Sequence, residues 1–566
     1  MWRDGLAALL TITAAFAATA GPKEEHYVVR VAMRDGVKLS TRVSRFASAS
    51  KLPTILIRTP YGKGAELPKW YHIFLERGYA VVMQDVRGRS DSEGTFRSLE
   101  QEGSDGSDTI NWIARQPWSN GNVGMIGGSY VGMVQWKAAL TGNPHLKAIF
   151  PVVSGCDEFR DRYYSTGGAL KIGHRLLWLA ENLRAPGFVP PPFPDYARHM
   201  PLRTADKAAT GRRIDSYQAA MNHPYFDAFW KGTSTREKLE RMHVPVFAVG
   251  GWYDNYVQSD LEAFSILSNQ SQENHIIVGP WPHDMSQRFA GVDFGQDWGA
   301  PIRRYQLEWF DHWLKPAQPS SQLSLPPMQI FVMGANRWRN EHEWPLARTH
   351  YTPYYLAGRA AANSANGEGQ LAPEPHRNDI KDNYTYDPRK PVPTTGGAVC
   401  CNPKLFPWGP KDQRPVEARS DVLVYTSPPL KTDVEVTGPI RVLLYVSSTA
   451  ADTDFTAKLV DVFPDGYARN LTDGILRLRY RESLEHPVAG KPGSIYPIVI
   501  DAGVTSNTFK AGHRIRLDIS SSNFPRFDRN PNTGRPIADE TELRAAAQTV
   551  YRGRQYPSHV LLPVIP

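Results

Sequence analysis

A serine set among glycines is the residue of this chain best placed to do covalent chemistry. The stretch Gly124-Met125-Ile126-Gly127-Gly128-Ser129-Tyr130-Val131-Gly132-Met133 passes from one apolar run, through small residues, into another. A strand that turns sharply into a helix needs small neighbours so that both elements pack closely, and it lifts the central side chain clear of the backbone. Such a serine stands at the carboxyl edge of a parallel sheet, above a helix N-terminus, and can attack a carbonyl. The second glycine stands at Gly132, one residue later than in G-x-S-x-G. Locally, a glycine-rich turn whose serine only caps the helix reads the same way.

Serine attacks only where a base takes its proton. In the elbow architecture an acid and a histidine follow the serine in that order, each in a loop after a later strand. Asp254 follows the run Val244 to Gly250, and His283 follows His275 to Gly279. The first gap admits an inserted segment and the second admits one helix and one strand, so all three side chains can meet at one sheet edge. Taken singly, Asp254 reads as the N-cap of the next helix and His283 as a surface loop residue. Order, loop position and spacing together make a triad. His275 falls within a strand and His312 on a helix, away from that edge. The tetrahedral intermediate needs two donors, which the backbone N–H of Tyr130 and the hydroxyl of Tyr61 can supply.

The elements that must position these residues alternate along the first half of the chain. Val28–Val31 and Val37–Thr41 flank Arg34-Asp35-Gly36 as a hairpin, and Pro53–Arg58 and Tyr79–Gln84 read as central strands. Helices are predicted over 70–77, 104–115, 257–267 and 305–314, which makes the core an α/β fold with an open parallel sheet. Between Cys156 and Arg241 the alternation stops, and helices over 169–182 and 216–230 flank a proline-rich stretch. An insertion of this kind is read as a helical cap over the crevice. Its aromatics Trp178, Phe188 and Phe193 either line an acyl or leaving-group pocket or form the cap's own core, and the sequence supports both equally. Beyond the linker 316–327, strands over 440–447, 455–462, 474–480, 496–500 and 515–519, with turns between them, indicate a jelly-roll β-sandwich. The expected division is a signal over 1–20, core over 21–155 and 242–318, cap over 156–241 and sandwich over 319–566.

With 566 residues the chain is too long for one core. Its 65 basic and 57 acidic residues are interspersed without a like-charge run, so the net charge of +8 reads as a solubility effect and no nucleic-acid partner is expected. Cys156, Cys400 and Cys401 cannot build a disulfide framework and have no metal-ligand spacing. One long-range bridge is compatible with them, as are buried thiols at the adjacent pair. Arg3, the apolar run Leu6–Ala20 and Ala18-Thr19-Ala20 read as a secretory signal, so export to the periplasm or medium is expected, without stable membrane insertion after cleavage; an uncleaved N-terminal anchor is the alternative reading of the same run. The sequence leaves the oligomeric state open, a homo-oligomer included.

Five spaced motifs carry a resemblance. Arg58-Thr59-Pro60-Tyr61, Asp85-Val86-Arg87-Gly88, Gly127-Gly128-Ser129-Tyr130-Val131-Gly132, Gly251-Trp252-Tyr253-Asp254 and Gly279-Pro280-Trp281-Pro282-His283 resemble the cocaine-esterase and X-Pro dipeptidyl-peptidase-like (CocE/NonD) serine hydrolases. Thr453-Asp454-Phe455-Thr456 and Gly512-His513-Arg514-Ile515 extend the likeness into the C-terminal half. The resemblance implies an α/β-hydrolase core with a helical cap insertion, plus a C-terminal jelly-roll domain. It implies Ser129, Asp254 and His283 as catalytic residues and Tyr61 and Tyr130 as oxyanion donors. Members acting on α-amino acyl groups resemble one another in a carboxylate cluster, two of whose acids fall where this chain has Tyr256 and Val257. Asp157, Glu158 and Asp161 remain as acids at the entrance to the cap.

The sequence thus points to an exported serine hydrolase of small acyl esters, with amides as an open extension, that needs no metal or organic cofactor. An α-amino ester hydrolase or X-Pro aminopeptidase is the alternative. A polymer- or carbohydrate-binding role for the C-terminal sandwich is the rival from another class.

Overall fold

The computed structural model describes residues 23–48, 50–270, 273–286, 289, 291–295, 299–315 and 325–566. The expected signal over 1–20 and most of the linker lie outside these residues. No helix among the described residues is long and apolar enough to cross a membrane.

The first sheet has ten strands: β1 (Glu24–Ala32), β2 (Lys38–Phe46), β3 (Leu52–Thr59), β4 (Ala80–Asp85), β5 (Ser119–Gly128), β6 (Leu146–Val152), β7 (Val246–Tyr253), β8 (Asn274–Pro282), β9 (Met328–Val332) and β10 (Arg337–Glu341). Their order is β1-β2-β4-β3-β5-β6-β7-β8-β9-β10. The run from β4 through β3 to β9 is parallel, with antiparallel strands at both edges. Strands β3, β4, β7 and β8 are buried along their whole length, as continuous apolar runs require of strands covered on both faces.

Helices α2 (Glu102–Ala114), α3 (Tyr130–Ala139) and α9 (Val257–Leu267) pack on one face. Helices α1 (His72–Glu76) and α10 (Ile302–Leu314) pack on the other, around Phe74, Phe150, Trp309 and Phe310. Three strands correct the reading from sequence. β6, which ends in the unpromising Phe150-Pro151-Val152, is a central strand between β5 and β7. β9 and β10 belong to this first sheet, so the chain leaves it only after Glu341, beyond the 318/319 division. The prolines mark a break in regular structure, but they carry no information about which sheet the next strand joins.

The cap holds α4 (Ile172–Asn182), α5 (Phe193–Ala197), α6 (Ala205–Thr210), α7 (Asp215–Asn222) and α8 (Ala228–Thr233), preceded by a π-helical turn over Glu158–Tyr163. The single helix expected over 216–230 is two, because Pro224 cannot continue α7 and Asp227 caps α8 by accepting from Phe229 N.

Strands β11 (His350–Ala357), β12 (Gln370–Ala372), β13 (Ile380–Tyr386), β14 (Leu423–Thr426), β15 (Val434–Ser448), β16 (Asp454–Val462), β17 (Ala468–Arg477), β18 (Tyr496–Phe509), β19 (Arg514–Ser520), β20 (Ala546–Arg552) and β21 (His559–Ile565) form the all-β C-terminal domain. The strand expected over 474–480 ends at Arg477 and closes in a 3₁₀ turn. One hydrophobic core is continuous from the α2/α3 face through the cap into the sandwich. Cys400 and Cys401 are bonded to each other, and Cys156 is a buried free thiol. The long-range bridge left open by the sequence is therefore not formed.

Candidate active site

Ser129 sits between the end of β5 and the first residue of α3 with φ +56° and ψ −127°, a backbone conformation that costs a non-glycine residue of order 1–3 kcal/mol. Tight packing keeps it there. A Cβ on Gly132 would lie 2.5 Å from Ser154 Cβ, and one on Gly127 would lie 2.2 Å from Val131 Cγ1. The late glycine thus serves the approach of α3 to the loop after β6.

His283, just past β8, places Nε2 3.0 Å from Ser129 Oγ and Nδ1 2.7 Å from Asp254 Oδ1. Asp254 follows β7, is fully buried, and accepts a second bond from Tyr256 N at 2.9 Å. An ionised carboxylate only accepts, so Nδ1 must carry the proton and Nε2 presents its lone pair to the serine hydroxyl. The three residues meet at the carboxyl ends of β5, β7 and β8. This arrangement of fold and side chains defines a serine hydrolase of the α/β type.

Comparison with known proteins gives the same class. The model of the X-Pro dipeptidyl-peptidase (S15) family matches residues 35–284, and that of the X-Pro dipeptidyl-peptidase C-terminal non-catalytic domain matches residues 323–561. Cocaine esterase from Rhodococcus sp. (strain MB1 Bresler) is 40% identical, with 95% of this chain and 98% of that protein covered. A solved α-amino acid ester hydrolase superposes with a TM-score of 0.83 at 26% identity, over 99% of this chain and 100% of that one. An aminopeptidase from the marine sediment archaeon Thaumarchaeota archaeon gives 0.84 at 28%, over 98% and 99%. The chain belongs to this family of serine hydrolases, in which esterases and X-Pro dipeptidyl-peptidases share one fold.

Around the serine, Tyr61 follows β3 and turns its hydroxyl inward, where it accepts from Trp178 Nε1 at 3.3 Å on the side of Ser129. The residue as a whole is 46% exposed, so it is the ring that is open while the hydroxyl is desolvated. That desolvation raises the phenol above its ordinary pKa and keeps it a donor. The turn is pinned from behind by Asp85, which accepts from Lys63 N at 2.6 Å and Lys63 Nζ at 2.9 Å.

Tyr130 offers the site only its backbone. Its N–H is the first of α3, where no earlier turn supplies an acceptor. Its phenol donates to Glu102 Oε1 at 2.9 Å and accepts from Leu99 N at 3.0 Å. Glu102 in turn accepts from the fully buried Arg58 at 2.7 Å. Arg58 and Glu102 were not legible as site supports, since only the three-dimensional fold brings β3 and α2 behind the elbow.

Of the three cap aromatics, Trp178 reaches the site, stacked on Tyr130 at 6.1 Å between centroids. Phe193 packs on Tyr196 of the cap and on Phe406 of the C-terminal domain, and Phe188 lies over Gly211, so these two serve packing away from the serine. Asp157 is 2% exposed, caps the π-helical turn through Phe159 N and Arg160 N, and pairs with Arg160 Nε at 2.5 Å. Asp161 accepts from Asp157 N, and Glu158 holds Thr235 and Lys137. Among the described residues, the Arg175 guanidinium near Tyr61 has no ion-pair partner, and its Nε lacks an acceptor. Arg175, 2% exposed, lies 4.6 Å over the Trp178 ring, and burial lowers its pKa to about 10.

Tyr256 is buried with its ring 5.5 Å from that of His283, and its hydroxyl meets His174 Nε2 at 3.3 Å. His174, Cys400 and Cys401 bring three potential ligand atoms within 4.8 Å of one another. The two sulfurs are bonded to each other and offer no thiolate, so the cluster does not fit a metal in this state.

Proposed function

We propose that this chain hydrolyses carboxylic esters through an acyl-enzyme in which Ser129 is the nucleophile, His283 the general base and acid, and Asp254 the group that orients the imidazole. Ser129 Oγ attacks the ester carbonyl as its proton passes to His283 Nε2. The oxyanion forms between the Tyr61 hydroxyl and the Tyr130 N–H. Collapse expels the alcohol, which takes the proton from His283, and water repeats the sequence to release the acid. The observation that carries this reading is the continuous chain Ser129 Oγ, His283, Asp254 at 3.0 and 2.7 Å.

Plain acyl esters are favoured over α-amino esters by the charge around the serine. An ammonium would meet the unpaired Arg175, with Tyr256 and Val257 where an amine-binding site would place acids. Asp157 and Asp161 line a cleft that reaches Asp254, but each is already tied to its own turn or to Arg160. The cocaine esterase and α-amino acid ester hydrolase relatives mark the two ends of this choice.

The test is labelling with a fluorophosphonate, peptide mapping, and turnover of para-nitrophenyl butyrate beside its α-amino analogue. Labelling at Ser129 with faster turnover of the plain ester is expected. Turnover of the amino ester alone would reverse the preference, and undiminished activity of Ser129→Ala would remove the mechanism.

A further inference from the structure

A second recess, of about 550 Å³, opens on the same sheet edge as Tyr61, between the loop after β4 and the cap. It is lined by Arg89, Arg97, Arg212 and Arg213 against two carboxylates, Glu100 and Asp215. Among the described residues none of the four guanidiniums lies within ion-pair distance of a carboxylate, although arginines elsewhere in this chain are routinely paired. Three of them bond neutral oxygens instead. Arg89 Nε donates to Pro60 O at 2.9 Å, Arg212 Nε to Leu183 O at 2.9 Å and Arg213 Nη2 to Gln218 Oε1 at 2.8 Å. These contacts fix the arginine stems and leave most of the guanidinium donors uncommitted. Burial, and then the nearness of Arg212, pull the Arg89 pKa below its ordinary value, as a cation lacking a counter-charge requires.

A chain of side-chain contacts links the recess to the residues around the serine. Arg89 holds the carbonyl immediately before Tyr61 and lies 5.5 Å over Phe96, whose ring is 6.0 Å from that of Tyr130. Ser98 lines the recess and accepts from Arg162 Nη2 at 2.8 Å on the other side. The positive field of Arg162 and Arg175 thus continues outward into the four arginines. A structure that needed these charges only for solubility would leave them dispersed on convex surface, whereas here they converge on one concavity. Guanidinium forks that converge on one concavity match carboxylate oxygens bidentately.

We propose that this recess is a substrate subsite for a carboxylate, so that the natural ester carries a free carboxylate on its acyl or its alcohol side. The inference rests on the ester-hydrolase reading above. It differs from that reading in assigning recognition to Arg97, Arg212 and Arg213, none of which takes part in the acyl transfer.

The test compares matched esters. The mono-para-nitrophenyl ester of glutaric acid is set against para-nitrophenyl pentanoate, and meta-acetoxybenzoate against meta-acetoxybenzamide, at low and high salt. In either pair the carboxylate ester is expected to show a KM roughly three- to tenfold below its neutral partner at low ionic strength, with the advantage shrinking as salt screens it. The variant R97Q/R212Q/R213Q, whose positions are exposed, should lose that advantage while hydrolysing the neutral esters as before. Equal or poorer turnover of both carboxylate esters by the native protein overturns the proposal. So does binding of glutarate, read by calorimetry, that leaves the KM of every ester unchanged. Failure of the acyl-transfer reading looks different: no ester turns over, Ser129 takes no label, and glutarate still binds the native protein but not the triple variant.

Discussion

Trp178 Nε1 donates to the hydroxyl of Tyr61 across 3.3 Å, although Trp178 belongs to the cap helix α4 and Tyr61 to the turn after core strand β3. The proposed oxyanion donor is therefore aimed by a residue of another layer. The indole N–H occupies a lone pair of the phenol oxygen, so the phenol proton is left free for an oxyanion beside Ser129. The position of α4 is in this way a determinant of the proposed chemistry.

Tyr61→Phe removes the donor and keeps the ring. We expect kcat to fall roughly 10²-fold with KM little changed, because the lost bond forms fully only to the oxyanion. Trp178→Phe removes only the group that aims it, and a fall of roughly two- to tenfold in kcat is expected. Steady-state kinetics with one neutral ester measures both, and a larger loss for Trp178→Phe than for Tyr61→Phe would refute the ordering.

Gly132→Ala tests the elbow itself. The added methyl would meet Ser154 at 2.5 Å, so α3 or the loop after β6 must shift. We expect a loss of about 1–3 kcal/mol in stability together with slower fluorophosphonate labelling of Ser129. Gly232→Ala, also at a helical position and with nothing within 4 Å of the new Cβ, serves as the control for the added methyl alone.

How much of this was legible depends on range. Ser129, Asp254 and His283 could be read because each follows an apolar run and the three occur in a fixed order, both local features of the chain. The separate fates of Trp178, Phe188 and Phe193 could not, since all three are cap aromatics and only the packed orientation of α4 turns one of them toward Tyr61. Pro151 hid β6, and the proline-rich linker hid the return of β9 and β10 to the first sheet. The paired charges Arg58–Glu102 and Arg477–Asp454 join residues far apart in sequence, so composition alone gave them as scattered surface charge.

His174 makes stability depend on pH. It is 3% exposed, and burial, reinforced by Arg175 and Lys171, holds its imidazole well below the ordinary range. Below about pH 6.5 the unfolded chain binds a proton that the native state refuses, so native stability is full above that pH and is lost on acidification. The slope from this one group is up to about 1.4 kcal/mol per pH unit. Urea midpoints measured from about pH 7 to about pH 5 should fall more steeply for the native protein than for His174→Gln. Parallel profiles would show that another group sets the acid limb.

Asp528 joins the cap to the C-terminal domain and, through α4, to the site. Its Oδ1 accepts from Leu170 N at 2.8 Å, just before α4, and from Arg477 Nη2 at 2.8 Å, while Arg477 also grips Asp454 at 2.9 Å. All three side chains are almost fully buried, so removing the cation leaves two uncompensated carboxylates. Arg477→Met is expected to cost about 3–5 kcal/mol, read as a lowered Tm. Asp454→Leu and Asp528→Leu added to it should recover part of that loss, because an apolar cluster of similar volume needs no counter-charge. Recovery of activity should lag behind recovery of Tm, since Leu170 N still lacks its acceptor and α4, with Trp178, is held less firmly. If kcat and Tm return together in the triple variant, Asp528 contributes to stability alone and the placement of α4 is set elsewhere.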